Sequence, residues 1–367
     1  MHRPVLHRLR TALVLAVIAV LALSACSRRD TTPAAPSGGA GASAAGTPAA
    51  ELRLGYFPNI THAPALIGVA NGLFQQELGA TKLTTQTFNA GPDEVSALLG
   101  GSLDAGFIGS SPAINAFAKS NGEAVRLVAG STSGGAQLVV SPDITSPEQL
   151  KGKVVATPQA GNTQDIAFKK WLKSNGLANG SGPDAVTVQN IDNPRTLDLF
   201  KSGEVAGGWL PEPWSSRLVD AGAKVLVDEK TLWPDGRFPT TVLIVRTQFL
   251  QEHPQTVEAL LRAEQKAIDL ATSDPVQAKT VTNDAIKKIT NSSLQPAVLD
   301  RAFTELSFGL DPLAATFPQL AKDSVTAGVA EKETNLAGFL APGPVNAVLQ
   351  AAGKPAVDAA GLDKAQG

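Results

Sequence analysis

The chain has 367 residues, 43% hydrophobic and 17% charged, with a net charge of −2. That balance suits a globular protein long enough for two cores, and it offers no basic surface for nucleic acid. With one cysteine, Cys26, and four histidines, two of them (His2 and His7) at the very start, a disulfide framework and a multi-histidine metal site are excluded, and no cofactor is expected.

Arg3, Arg8 and Arg10 precede an uncharged apolar run from Ala12 to Leu23, which Leu23-Ser24-Ala25-Cys26 closes. Basic, apolar and small-residue segments in that order are the layout of a secretory signal. The run falls short of the ~20 apolar residues a spanning helix needs. The tetrapeptide resembles the bacterial lipobox, which implies cleavage before Cys26 and a diacylglycerol on its thiol. Residues 1–25 are therefore expected to be a lipoprotein signal peptide. Residues 26–50 are expected to be the lipidated cysteine and a flexible tether, because Ala, Gly, Ser, Thr and Pro bury too little surface to order themselves.

From Glu51 the pattern changes. Glu51–Phe57 alternates as a strand, Pro58-Asn59 turns the chain, and a helix is predicted from about Ala63 to Gly79. A strand near 83–88, a helix over 91–99, a short buried strand over 104–108 and a helix opening at Gly109-Ser110-Ser111-Pro112 follow. The same alternation restarts with strands at 136–140 and 153–156, a helix over 162–175, a strand at 186–191, a helix at 194–200 and a strand at 205–210. Strand and helix in alternation predict α/β lobes built on mostly parallel sheets. Residues 101–112 and 202–213 echo each other, as two lobes built on one plan would. After an apolar strand at 240–246 the chain reads as largely helical. Lobe 1 is thus expected over 51–138, lobe 2 over 139–239, a return to lobe 1 over 240–345 and a tail over 346–367. Short connectors near 136–141 and 237–243 would join the lobes.

In an open parallel sheet, ligands gather beyond the carboxyl ends of the strands, where helix N-termini offer N–H groups to anions. Three junctions of this kind carry hydroxyl or amide side chains: Asn59, Thr61 and His62 after the first strand, Ser110 and Ser111 after the third, and Gly161, Asn162 and Thr163 in the second lobe. Thr61, Ser111 and Asn162 have a plainer use as helix caps. His62 either donates to an oxyanion or packs as a polar first-turn residue. In Trp209-Leu210-Pro211-Glu212-Pro213-Trp214, the prolines restrain a loop after a strand. There Trp209 and Trp214 either wall a ligand or belong to the core, and Glu212 either accepts from a ligand amino group or faces water. Arg195, at another helix start, reads as a solvated surface residue.

Residues 54–74, the segment 97–106, Leu150–Ala156, Gly161-Asn162-Thr163 and the 209–214 run together resemble the substrate-binding proteins of ABC importers. The type is that of nitrate, sulfonate and taurine binders, which also includes binders of thiamine-pyrimidine precursors. The resemblance implies a two-lobed type II periplasmic-binding fold that closes on its ligand by a hinge. It also implies a cleft built from the loops above, and a monomer that hands a small solute to a membrane permease and its ATPase. The site residues it implies are Asn59, Thr61, His62, Ser110, Ser111, Gly161, Asn162, Thr163, Trp209, Glu212 and Trp214. Thiamine-pyrimidine synthases share the fold but need a cysteine-rich iron-binding run, so no enzyme is expected here. A lipid-anchored protein on the outer side of the cell membrane is the resulting expectation.

Overall fold

The computed structural model describes residues 46–365; the expected signal segment, Cys26 and the tether up to residue 45 lie outside the described residues. The chain first lays down β1 (Glu51–Tyr56), α1 (Ala63–Ala70), α2 (Leu73–Leu78), β2 (Lys82–Thr87), α3 (Gly91–Leu99), β3 (Ala105–Ile108), α4 (Ser110–Lys119) and β4 (Val125–Gly134). It continues with β5 (Ala136–Val140), β6 (Val154–Thr157), α5 (Thr163–Ser174), β7 (Ala178–Asn179), β8 (Ala185–Asn190), α6 (Asn193–Ser202), β9 (Gly207–Pro211), α7 (Trp214–Asp220) and β10 (Lys224–Asp228). The return begins at β11 (Pro239–Arg246) and adds α8 (Thr247–Glu252), α9 (Pro254–Ser273), α10 (Pro275–Thr290), α11 (Pro296–Thr304), β12 (Leu306–Phe308), α12 (Phe317–Thr326) and α13 (Gly343–Ala351). The single helix predicted from Ala63 is two, because Gly72 takes a left-handed φ of 70° between them.

Two six-stranded sheets result, in the orders β12-β4-β11-β3-β1-β2 and β10-β5-β9-β6-β8-β7. In the first, β1 runs parallel to β2 and β3, and β11 lies antiparallel between β3 and β4. In the second, β6 runs parallel to β8 and β9, and β5 lies antiparallel between β9 and β10. The two sheets therefore share one plan, with β3 and β9, the strands inside the repeated segments, at matching places. The antiparallel strand is the first of lobe 2 but belongs to the return in lobe 1.

The lobe crossing differs from expectation. Residues 136–140 and 239–246 are paired strands, not connectors. The chain leaves the first sheet at Gly134-Gly135, ahead of the expected cut after residue 138, which falls inside β5. Both glycines have positive φ, 83° and 71°. A Cβ on Gly135 would run into Leu306, so the reversal needs the missing side chain.

Both chain ends of the described region are docked. The Ala49 N–H donates to Thr256 Oγ1 at 2.9 Å, and the Thr47 carbonyl shares a 2.7 Å hydrogen bond with His253 Nδ1, so ordered structure begins before the expected end of the tether. The expected C-terminal tail is also structured. Val345, Val348 and Leu349 present one buried face of α13, Leu362 is buried, and the Leu340 N–H donates to the Leu362 carbonyl. The larger core joins the first sheet to α1 and α9, and a second lies on that sheet's other face against α4 and α12. Among the described residues, no helix is long and apolar enough to cross a membrane.

Candidate functional site

The loops after β1, β2 and β3 meet those after β6, β8 and β9. Four contacts define the seam: the Thr61 N–H to the Glu212 carbonyl (3.5 Å), Asn59 Oδ1 to Trp214 Nε1 (2.9 Å), the Ser111 N–H to Thr163 Oγ1 (3.4 Å) and Gln159 Nε2 to Asp93 (2.8 Å). Inside the seam lies a cavity of about 20 Å³, room for roughly one water. Lobe 1 lines it with Phe57, Asn59, Thr61 and His62, with Asn89, with Gly109, and with Thr240 and Thr241 of β11. Lobe 2 adds Asn162, Thr163 and Gln164, then Asn193 and Pro211. Among the described residues, no Asp, Glu, Lys or Arg lines it.

Three helices of ten, twelve and ten residues, α4, α5 and α6, begin at this cavity. None is capped by the side chain of its own N-cap residue, so the plainer use foreseen for Ser111 and Asn162 is not found; at α4 the Ser111 N–H donates to Thr163 Oγ1 instead. Thr61 sits within a 3₁₀ turn, Ile60–His62, and caps nothing. A helix start of this kind carries free N–H groups and about half a positive charge. Around the cavity and its α4 rim, Ser110 Oγ, Ser111 Oγ, Asn193 Oδ1 and Thr241 Oγ1 are buried without a hydrogen-bond partner. Buried polar groups are nearly always paired in folded proteins, and these four are not.

The α5 end is fixed from below. Asp165 is buried and accepts from the Gly161 N–H, Thr157 Oγ1, Asn190 Nδ2 and Lys169 Nζ, all at 2.8–3.0 Å. Gly161, with φ 78°, thus shapes the turn and does not line the cavity. His62 is 2% exposed, its ring 4.4 Å from Phe57, and its Nδ1 accepts from the Phe57 N–H at 3.4 Å. Burial drives its pKa down to about 3, so it faces the cavity as a neutral imidazole.

Asn59, Thr61, His62, Asn162 and Thr163 therefore come together, with Ser110 and Ser111 at the α4 end. Trp209 does not join them. It is fully buried against Phe168 and Trp171 and donates to Glu229 at 2.7 Å, because its position in β9 points it into the lobe 2 core. Glu212 is also fully buried, but its carboxylate takes Arg301 Nη1 at 3.0 Å and the Ser216 N–H at 3.2 Å. Burial raises its pKa, against the pull of Ser215, Ser216 and Arg301. It is an internal ion pair, not a ligand acceptor. Trp214 lies outside the cavity, on a wider chamber of about 640 Å³ that shares Asn59, Asn89 and Asn193 with it. Arg195 is exposed.

Sequence reasoning missed Asn89, Gln164, Asn193, Thr240 and Thr241. Asp192-Asn193-Pro194 follows a strand and starts a helix, which is a readable signal. Thr240-Thr241 begins an apolar strand and gives none. Among the described residues no group of His, Cys, Asp or Glu is placed to hold a metal.

Residues 45–285 match the family described as NMT1-like. The taurine-binding periplasmic protein of Escherichia coli (strain K12) is 30% identical over 203 residues, 54% of this chain and 60% of that protein. The match thus spans less than two thirds of that relative. The alkanesulfonate-binding protein SsuA from Xanthomonas axonopodis pv. citri, bound to MOPS, aligns with a TM-score of 0.64 at 22% identity, over 78% of this chain and 96% of that one. The periplasmic nitrate-binding protein NrtA from Synechocystis PCC 6803 aligns at 0.67 and 15% identity, over 83% and 89%. These alignments establish the two-lobed type II periplasmic-binding fold.

Proposed function

The chain belongs to the NMT1-like family, and from that premise we propose that it is the solute-binding component of an ABC importer, capturing a small sulfonate or similar oxyanion between its lobes. One observation carries the reading: three helix starts not capped by their own N-cap side chains and several unpaired hydroxyl and amide groups surround a cavity with no charged side chain. Such a site holds an anion by oriented dipoles and hydrogen bonds, without a permanent counter-charge to slow its release. At about 20 Å³ the cavity as it stands is too small for a sulfonate, so capture requires the lobes to part and then to close less tightly on the guest than they do here, as hinged domains can.

Glu212 is committed to Arg301 and is not free to accept from a ligand amino group. Taurine and amino-free alkanesulfonates are then equivalent at the cavity itself. Calorimetric titration of methanesulfonate, taurine, sulfate and nitrate tests the reading. It predicts saturable one-to-one binding of at least one sulfonate, and it fails if none of the four anions binds.

The relatives are named as periplasmic binding proteins, which favours an extracytoplasmic, non-enzymatic role here. Anchoring at Cys26 extends that reading. Labelling with a radioactive fatty acid should mark the native chain and not Cys26→Ser; label retained by the variant would refute the anchor.

A further inference from the structure

The chamber beyond the cavity has its own chemistry. Asn59, Asn89 and Asn193 line both spaces and so form a neck between them. Past the neck the volume is about 640 Å³, in the range of pockets that enclose whole organic ligands. Its walls come from both lobes: Pro58 and Phe88 on one side, Leu197 and Trp214 on the other, with Leu294 and Val298 of the α10–α11 segment closing it. It is apolar where a spacer would lie.

One charge on that wall is unspent. The Arg217 guanidinium lies 4.7 Å from the Trp214 ring centroid, a cation–π contact. Among the described residues it makes no ion pair or side-chain hydrogen bond, although it is half-buried and burial pulls its pKa down. The other charged residues on the wall, Asp198, Lys201 and Asp220, are solvent-exposed and leave one negative charge between them, so the wall is neutral overall and Arg217 is its one half-buried charge. The Trp214 indole connects the two spaces, donating to Asn59 at the neck while its face carries Arg217. Its guanidinium donors have no side-chain partner among the described residues, and a guanidinium is the group that takes a carboxylate in two parallel hydrogen bonds.

Resting on the reading of sulfonate capture, we propose that the solute is a two-headed anion, with a compact sulfonate-like head in the cavity, a short apolar or aromatic spacer through the asparagine neck, and a distal carboxylate on Arg217. Taurine has a cationic far end and offers Arg217 no carboxylate.

Calorimetry on the purified full chain with methanesulfonate, benzenesulfonate and 4-sulfobenzoate tests it. The expected order has 4-sulfobenzoate binding at least tenfold tighter than benzenesulfonate. Arg217→Gln should remove that advantage while changing benzenesulfonate affinity less than twofold, which also shows that the variant is folded. Lys201→Gln should leave the advantage in place. Equal affinity for the two aryl sulfonates, or an Arg217→Gln loss shared by both, overturns the inference and leaves sulfonate capture standing. Failure of all three probes overturns sulfonate capture and this inference together.

Discussion

β3 and β9 hold the same place in their sheets, each parallel to one neighbour and antiparallel to the other, yet their carboxyl ends differ. β3 runs through Gly109 directly into α4, whose first turn opens beside the cavity with the Ser110 and Ser111 hydroxyls unpaired. β9 runs into Pro211-Glu212-Pro213, and the Glu212 carboxylate already accepts the N–H of Ser216 in the first turn of α7. Arg301 holds that carboxylate and also donates to Gln137 and Ser216, tying lobe 2 to α11. In the proposed reading one strand end is left for a foreign anion, whereas the other is filled by the chain's own carboxylate. The residues after the strand then decide which of the two receives a ligand.

The largest effect should come from the filled end. Arg301→Ala strands a buried carboxylate, and breaking such a pair costs about 3–5 kcal/mol. Urea unfolding should register that loss at pH 7 and a smaller one as the pH is lowered, because burial already raises the Glu212 pKa and a protonated carboxyl no longer needs the cation. Equal stability of variant and native chain would break the comparison. β9 has a second tie to a buried acid, Trp209 to Glu229, whose pKa burial pushes up to about 7. A raised folded-state pKa stabilises fully below the ordinary value of 4.5 and loses that contribution as pH rises through about 7. Stability of the native chain should therefore fall from pH 5 to 8, with Glu229 contributing on the order of 2–3 kcal/mol beside Glu94 and Glu264, whose pKa values burial also raises. Glu229→Gln should make that slope shallower, and an unchanged slope would place the titration elsewhere.

The open end should behave in the opposite way. Ser111→Ala removes a hydroxyl with no protein partner, so melting should barely move. Affinity for the best sulfonate should fall ten- to hundredfold, the equivalent of about 1.5–3 kcal/mol for a hydrogen bond to a charged group. Thr163→Ala should show the same affinity loss with a modest fall in melting, since Thr163 Oγ1 also accepts from Ser111 across the seam. Lower melting with intact affinity would make both residues structural. The smallest effect belongs to Trp214→Phe, which keeps an aromatic wall and loses only the bond to Asn59, about 1 kcal/mol of seam closure. Solution scattering should find the unliganded variant slightly more open than the native chain.

Local patterns carried most of the fold. Alternation in Glu51–Tyr56 and the apolar run in Pro239–Arg246 mark strands without tertiary help, and the strand-then-helix junctions locate three corners of the cavity. Partners distant in sequence were beyond that reach. Glu212 and Arg301 are 89 residues apart, and nothing near Glu212 announces the cation that neutralises it. Trp209 and Trp214 lie five residues apart in one proline-flanked run, but Trp209 sits inside β9 and points into the lobe 2 core, whereas Trp214 starts α7 and reaches the seam. β5 read correctly as a strand but was assigned across two lobes, because a strand's sheet is set by its partners and not by its own residues. Thr240 and Thr241 look like ordinary strand threonines until the loops of both lobes close over them.

The account stands most directly on where a bound oxyanion sits. A crystal structure of the protein with its tightest sulfonate, the sulfur located by anomalous scattering, decides it. The predicted result places the sulfonate oxygens within hydrogen-bond reach of Ser111 and Thr163, at the starts of α4 and α5, with no charged side chain in contact. A sulfur bound outside the seam, or held there by a lysine or arginine, would contradict it.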